Sequence, residues 1–223
     1  MIVGIGGVGA MAAEGIARSA VGHMILIDSD EVEPTNLNRQ ILSTNDVIGR
    51  KKVEVMKERI LSISPQCDVR IYPEFFNKEN TKVFTDGNVD FVIDAIDTIS
   101  CKLDLIEECQ KRNIPVISCL GMGNRMDPSK LMYTTLKKTE YDPLAKAMRQ
   151  QARKRNMSLD IPVVFSTEEP LVIQNTVVNE EGTTQKSKTP PASSPFVPNA
   201  AGLLCAAYAV KYLLKEEAES EQN

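Results

Sequence analysis

Two rhythms of apolar residues run along the chain. Ile2 and Val3 end a short apolar run, and "MILID" (residues 24–28), "VDFVIDAID" (89–97) and "IPVISCL" (114–120) are near-continuous apolar stretches. Such runs suit strands buried on both faces of a parallel sheet. "VRIYPE" (69–74) alternates as a strand does. Between these runs the spacing changes to three and four. In "RKKVEVMKERILSIS", Val53, Met56, Ile60 and Ile63 share one helical face, and "LDLIEECQKRN" (103–113) is amphipathic. Residues 8–20 read as a helix of small residues suited to close sheet packing. Strands alternating with helices predict an α/β chain built on a Rossmann-like, doubly wound, mostly parallel sheet.

After Gly123 the rhythm changes. "KLMYTTLKK" (130–138) and "IPVVFS" (161–166) predict additional C-terminal strands, with a helix over 143–156 between them. Residues 178–199, rich in Thr, Ser, Pro and Lys, are expected to form a mobile loop. An apolar helix, "AAGLLCAAYAVKYLL" (200–214), and an acidic tail over 215–223, expected to fray, close the chain. A length of 223 residues without an internal repeat suits one domain, read as 1–214.

A net charge of -4 gives no global attraction to nucleic acid and leaves room only for a local basic patch. The sequence holds no uninterrupted apolar run of membrane-spanning length and no basic-flanked leader, so a cytoplasmic location without a membrane span is expected. Cys67, Cys101, Cys109, Cys119 and Cys205 are scattered, with no CxxC pair. Reduced, buried thiols are expected, and no zinc.

The chemistry begins at Gly4, Gly6 and Gly9, which follow a strand and open a helix. Backbone N–H groups at that point attract phosphate, and Asp28 at the end of the second strand can accept a ribose hydroxyl. This much suits a nicotinamide cofactor equally well. "TNLNRQ" then places Asn36, Arg39 and Gln40 in the next loop, and Lys52 opens the following helix. Expelling pyrophosphate from a triphosphate calls for cations such as Arg39 and Lys52. Asp97, beyond the fourth strand, falls at the carboxyl edge of the sheet, where a carboxylate can hold Mg²⁺. Taken singly, Arg39 and Lys52 also read as surface charges and Asp97 as a helix cap.

"GIGGVG", "IDSDEVEPTNLNRQ", "GRKKVEVM" and "DAIDT", in this order, resemble the adenylating enzymes related to ubiquitin-activating enzyme, ThiF and MoeB. The resemblance implies ATP activation of a carboxylate as an acyl-adenylate. Gly7, Asp28, Asn36, Arg39, Lys52 and Asp97 would contact ATP or its Mg²⁺. Arg39 and Lys52 would act on the phosphates, Asp28 on the ribose and Asp97 on the metal.

The second half, through "GMGNRMDPSKLMYTTLKKTEYDPLAKAMRQQARKR", "VVFSTEEP" and "PFVPNAAG", is similar to the family of tRNA threonylcarbamoyladenosine dehydratases. That family adenylates the threonyl carboxylate of a modified adenosine beside the anticodon. An internal nitrogen then closes the ring, so no protein nucleophile is required. A tRNA partner agrees with Lys146, Arg149, Arg153, Lys154 and Arg155, five cations without an acid over 143–159. Residues 146, 149 and 153 are spaced to share a helical face, and Arg125, Lys137 and Lys138 are candidates to extend the patch. His23 is read as a loop residue.

The resemblance also implies a homodimer and leaves room for a sulfur-transfer or redox partner. Family members begin with an N-terminal helix bearing an Arg and a full first strand, whereas this chain begins inside that strand. A shortened start, or stability only as a dimer, is therefore expected. Two other readings stay open, activation of a sulfur-carrier or ubiquitin-like C-terminus and a catalytically degenerate nucleotide-binding partner protein.

Overall fold

In the computed structural model, residues 1–86, 88–171, 176–178, 184–186 and 192–220 are described. The first half runs β1 (Ile2–Val3), α1 (Gly7–Ala17), β2 (His23–Ile27), α2 (Lys52–Ile63), β3 (Asp68–Tyr72) and a single turn, α3 (Val83–Asp86). It continues through β4 (Val92–Asp94), α4 (Ile99–Arg112) and β5 (Val116–Cys119). The second half adds β6 (Leu131–Thr135), α5 (Pro143–Lys154), β7 (Pro162–Ser166), β8 (Thr176–Val178), β9 (Thr184–Lys186) and α6 (Phe196–Ser220).

Seven strands form one sheet in the order β3-β2-β1-β4-β5-β7-β6. All neighbours are parallel except β6, which lies antiparallel to β7 at one edge. This is the doubly wound α/β sheet expected from the alternating rhythm. Alternate residues of each strand enter opposite layers, as the period of two requires. Ile2, Met24, Leu26, Ile93 and Ile117 face a layer with α1, α2 and α6. Val3, Ile25, Ile27, Val92 and Val116 face the other side with α3 and part of α4. Leu103 and Ile106 of α4 join α5 and β7 in a third cluster. β1 has only two residues, yet both are buried at the centre of the sheet between β2 and β4.

α1 and α6 lie close. A Cβ on Gly202 would fall 2.3 Å from the Val8 carbonyl oxygen, so the crossing needs a residue without a side chain. Over Phe196–Lys215, α6 is long and apolar enough to cross a membrane, with a mean hydropathy of 1.3. Val197, Ala201, Cys205, Ala206 and Ala209 nevertheless face the core layer shared with α1, which makes it a core helix.

Boundaries differ from expectation in three places. His23 is the exposed first residue of β2 rather than a loop residue. Of the expected loop over 178–199, Val178 ends β8, residues 184–186 pair with it as β9, and 196–199 already belong to α6. Residues 179–183 and 187–191 of that stretch lie outside the described residues, as do 221–223 of the acidic tail. Residues 215–220 continue α6.

Candidate nucleotide site

Strand order reverses between β1 and β4, and the turns after these two strands open a crevice at the carboxyl edge of the sheet. A cavity of about 850 Å³ occupies it. Gly4, Gly6, Gly7, Asp28, Asn36, Arg39, Gln40, Lys52 and Asp97 all line this cavity. Residues from the ends of β1, β2 and β4, the 33–40 loop and the start of α2 thus meet around one space.

Gly4 and Gly9 shape the turn by lacking side chains. Gly4 sits at φ +88, and a Cβ there would stand 2.6 Å from the Ala95 carbonyl oxygen. A Cβ on Gly9 would stand 1.7 Å from the Gly4 carbonyl oxygen. Gly9, expected at the nucleotide, does not itself line the cavity, and its missing side chain lets the turn pack against Gly4. Gly6 and Gly7 form the wall: a Cβ on Gly6 would meet only Gln40 Nε2 at 3.9 Å, and one on Gly7 would meet Arg39 and Pro198 at 3.4 Å. A phosphate can therefore approach this backbone at the start of α1.

The Asp28 carboxylate is held from two sides. Oδ2 accepts from Ile5 N–H at 2.5 Å, and Oδ1 from Asp30 N–H at 2.8 Å. Burial pushes its carboxyl above the ordinary range, against those two hydrogen bonds and Lys52. Lys52 is 5% exposed, and its Nζ donates to Asp30 Oδ2 at 2.8 Å. Asp30 is 63% exposed, so this pair stands at the cavity wall and is not sealed in the core. Lys52 is not a surface charge.

Asn36 builds its own loop. Its Oδ1 accepts from Glu33 N–H at 3.1 Å, and its carbonyl accepts from the N–H groups of Arg39 and Gln40. Arg39 is half-buried, with Nη1 donating to the Thr35 carbonyl and Asn38 Oδ1 at 2.8 and 2.9 Å. No acid pairs with it among the described residues. Gln40 Oε1 is buried without a hydrogen-bond partner, an unmet acceptor beside the Gly turn that suits a ligand hydroxyl. Asp97 is exposed and takes only the Thr98 hydroxyl, at 3.3 Å. It does not cap α4, whose N-cap is Thr98, so its carboxylate is open to a ligand. No three metal-ligating side chains gather anywhere among the described residues. Asp97 is the carboxylate at the cavity that could hold Mg²⁺, which takes one or two carboxylates plus phosphate oxygens.

Two groups of residues escaped the sequence reading. Glu74, Phe75 and Phe76 after β3 and Leu144 on α5 also line the cavity, and no local pattern marks them. Asp94 and Lys102 form a completely buried ion pair at 3.0 Å behind the Asp97 turn. A signal existed for Lys102. It falls between Ile99 and Ile106 in the three-and-four spacing of an otherwise apolar stripe.

The expected basic stripe on α5 is shorter than five. Arg149 Nη1 turns inward to the Leu136 and Thr139 carbonyls at 3.3 and 3.0 Å and also meets the Thr139 hydroxyl. Arg155 pairs with Asp104 and Glu107 of α4. Both therefore fix α5 to its surroundings. Arg125 is 2% exposed against Asp142 and the Glu168 carbonyl, and Lys137 pairs with Asp160, so neither extends the patch freely. Lys146, Arg153 and Lys154 remain exposed, with no acid beside them among the described residues. All five cysteines are free and buried. Burial pushes the Cys109 thiol up to about 12, and the hydrogen bond with Cys119, followed by burial, raises that of Cys205, which is the opposite of nucleophile activation.

The ThiF family model matches residues 1–223. The tRNA threonylcarbamoyladenosine dehydratase of Bacillus subtilis (strain 168) is 42% identical over 219 residues, covering 96% of this chain and 86% of that protein. The Escherichia coli (strain K12) protein of the same name is 37% identical over 227 residues, covering 96% and 84%. The crystal structure of E. coli TcdA in complex with ATP superposes with a TM-score of 0.85 at 33% identity, covering 98% of this chain and 86% of that one. With its Gly turn, backbone-held Asp28 and open Asp97 around one cavity, the chain belongs to the ThiF family.

Proposed function

We propose that this protein uses ATP to adenylate the carboxylate of N6-threonylcarbamoyladenosine in tRNA and releases a cyclised, dehydrated base. The observation that carries the reading is the convergence of Gly6, Gly7, Asp28, Arg39, Lys52 and Asp97 on one cavity of about 850 Å³, in a chain that resembles tRNA threonylcarbamoyladenosine dehydratases over 96% of its length.

The chemistry follows from that arrangement. The turn and the start of α1 present N–H groups to phosphate, and Asp28 accepts from a ribose hydroxyl. Lys52 and Arg39 stabilise the charge that grows on pyrophosphate as the substrate carboxylate attacks the α-phosphorus. Mg²⁺, when bound, neutralises phosphate charge, and Asp97 is the side chain that would hold it. A nitrogen of the substrate then attacks the acyl-adenylate and expels AMP, so one water's worth of atoms leaves the nucleoside. Buried thiols with raised pKa agree with a route that forms no thioester.

Lys146, Arg153 and Lys154 on α5 are the phosphate contacts in this reading, and the location is cytoplasmic. Exposed Leu203 and Leu214, eleven residues apart on one face of α6, support a homodimer through this helix.

The test is to incubate the protein with ATP, Mg²⁺ and tRNA carrying the modification, digest to nucleosides and weigh them. Loss of one water from the modified nucleoside, with stoichiometric AMP, is the expected result. Pyrophosphate exchange that requires a carrier protein and ignores tRNA would replace this reading with carrier activation.

A further inference from the structure

We propose that Lys102, with Asp94 and Ser118, is a positioning residue that fixes the Asp97 turn against the bound nucleotide. The inference rests on the adenylating reading and deepens it.

Lys102 and Asp94 are both 0% exposed, with Lys102 Nζ 3.0 Å from Asp94 Oδ2. The Ser118 hydroxyl donates to the same oxygen at 2.6 Å. The remaining contacts converge on the main chain of one residue, Ile96. Lys102 Nζ donates to the Ile96 carbonyl at 2.8 Å, and Ile96 N–H donates to Asp94 Oδ1 at 3.1 Å. Both main-chain polar groups of the residue before Asp97 are thus held by buried charges. On the other side, Ala95 N–H donates to the Val3 carbonyl at 2.9 Å, and the Ala95 carbonyl presses on Gly4. The turn is clamped between the Gly turn and the pair.

Asp94, Lys102 and Ser118 do not line the cavity, so none of them touches the nucleotide. Stability alone is a poor account of the pair, because well-packed apolar replacements of a buried ion pair are often neutral or better. What an apolar pair cannot supply is a donor and an acceptor for a turn that has left the β4 ladder. Asp97 itself has only the 3.3 Å contact with Thr98, so the backbone at Ile96 sets where its carboxylate stands.

The experiment measures the Mg²⁺ concentration that half-saturates ATP binding, by isothermal titration, together with metal-free AMP binding and thermal unfolding. In the double variant Asp94→Asn/Lys102→Met, which leaves no orphan ion, the Mg²⁺ requirement is expected to rise about tenfold while AMP affinity stays within about twofold. Lys102→Arg, which keeps the charge and a donor, is expected to recover most of the loss. Ser118→Ala, which retains both charges, is expected to move the same readout in the same direction. If the pair acts through Asp97, the double variant adds nothing in an Asp97→Asn background. An unmoved Mg²⁺ requirement in both the double variant and Ser118→Ala, an equal loss of AMP affinity, or additivity with Asp97→Asn would overturn the inference. Wild-type protein that binds no ATP would remove the adenylating reading and this inference together. Normal wild-type binding with unmoved variants removes this inference alone.

Discussion

At Gly9 there is no room for a methyl group, since a Cβ would overlap the Gly4 carbonyl oxygen at 1.7 Å, backbone against backbone. Gly9→Ala is expected to cost about 1–3 kcal/mol in urea unfolding, because the turn and α1 must separate. It should weaken ATP binding as the phosphate-facing N–H groups move. Gly22→Ala meets nothing within 4 Å and should stay within about 0.5 kcal/mol of wild type. Equal effects at the two positions would show that the Gly turn carries no special geometry. Lys52 makes the complementary case, since its Nζ rests on an exposed acid and the fold loses little without it. Lys52→Met, which keeps the buried stem and removes the charge, is expected to lower kcat by roughly 10²-fold with a nearly unchanged Tm, as loss of one preorganised cation at a developing charge does. A large fall in Tm with a small fall in kcat would make Lys52 structural. Both positions were legible in the sequence because turn glycines and a Lys opening a helix leave local marks. The Asp94–Lys102 pair forms only when β4 and α4 meet, and one strand's spacing does not contain that meeting.

Helix α1 is built from Gly, Ala, Val, Met and Ile with one acid, Glu14, and that exception ties α1 to α2. Glu14 Oε1 accepts from Arg18 on the next turn, and both of its oxygens accept from Arg59 of α2, at 2.5 to 3.0 Å. Burial pushes the Glu14 carboxyl up, but the hydrogen bonds and charges of Arg59 and Arg18 outweigh it and leave it below the ordinary carboxylate range. A depressed folded pKa adds stability that is present above the unfolded value, near 4.3, and is lost as pH falls through the folded value. Glu14→Gln is therefore expected to cost about 1–2 kcal/mol at pH 7, discounted for the exposure of both arginines. The difference from wild type should shrink as pH falls below about 4.3, because the wild type alone takes up a proton at Glu14 and loses that charge, whereas the Gln variant has none to lose. A pH-independent difference in urea midpoints would assign the cost to packing. The elements themselves were largely readable, because strands buried on both faces leave continuous apolar runs. The start of α6 was not. Pro198 sits in its first turn, where the missing N–H has no helical partner to lose, so a residue read as loop punctuation is helical. The β8–β9 pairing was not readable because β9, Thr-Gln-Lys, is wholly polar and has no apolar alternation to announce it.

Over the whole molecule the charge is -4, so in the proposed reading attraction to tRNA would have to come from a local concentration of cations. The fold makes that concentration by turning Arg149 and Arg155 inward to hold α5, leaving Lys146, Arg153 and Lys154 outward. Leu144, one residue into the same helix, lines the nucleotide cavity, so a tRNA phosphate chain resting on α5 runs beside the site where its modified base would react. Replacing Lys146, Arg153 and Lys154 by Ala is expected to weaken tRNA binding and to reduce the slope of log affinity against log salt by about 2–3. ATP affinity and Tm should be nearly unchanged, since none of the three has a partner to lose among the described residues. Arg149→Ala should do the reverse, lowering stability by about 1 kcal/mol through the lost donation to the Thr139 carbonyl, while the Leu136 carbonyl keeps the Thr139 hydroxyl. Its salt slope should move by less than one phosphate's worth, roughly 0.9. Filter binding at several salt concentrations, read beside thermal melts, separates the two roles. A triple variant with the wild-type slope would move the tRNA off α5, and the docking argument with it.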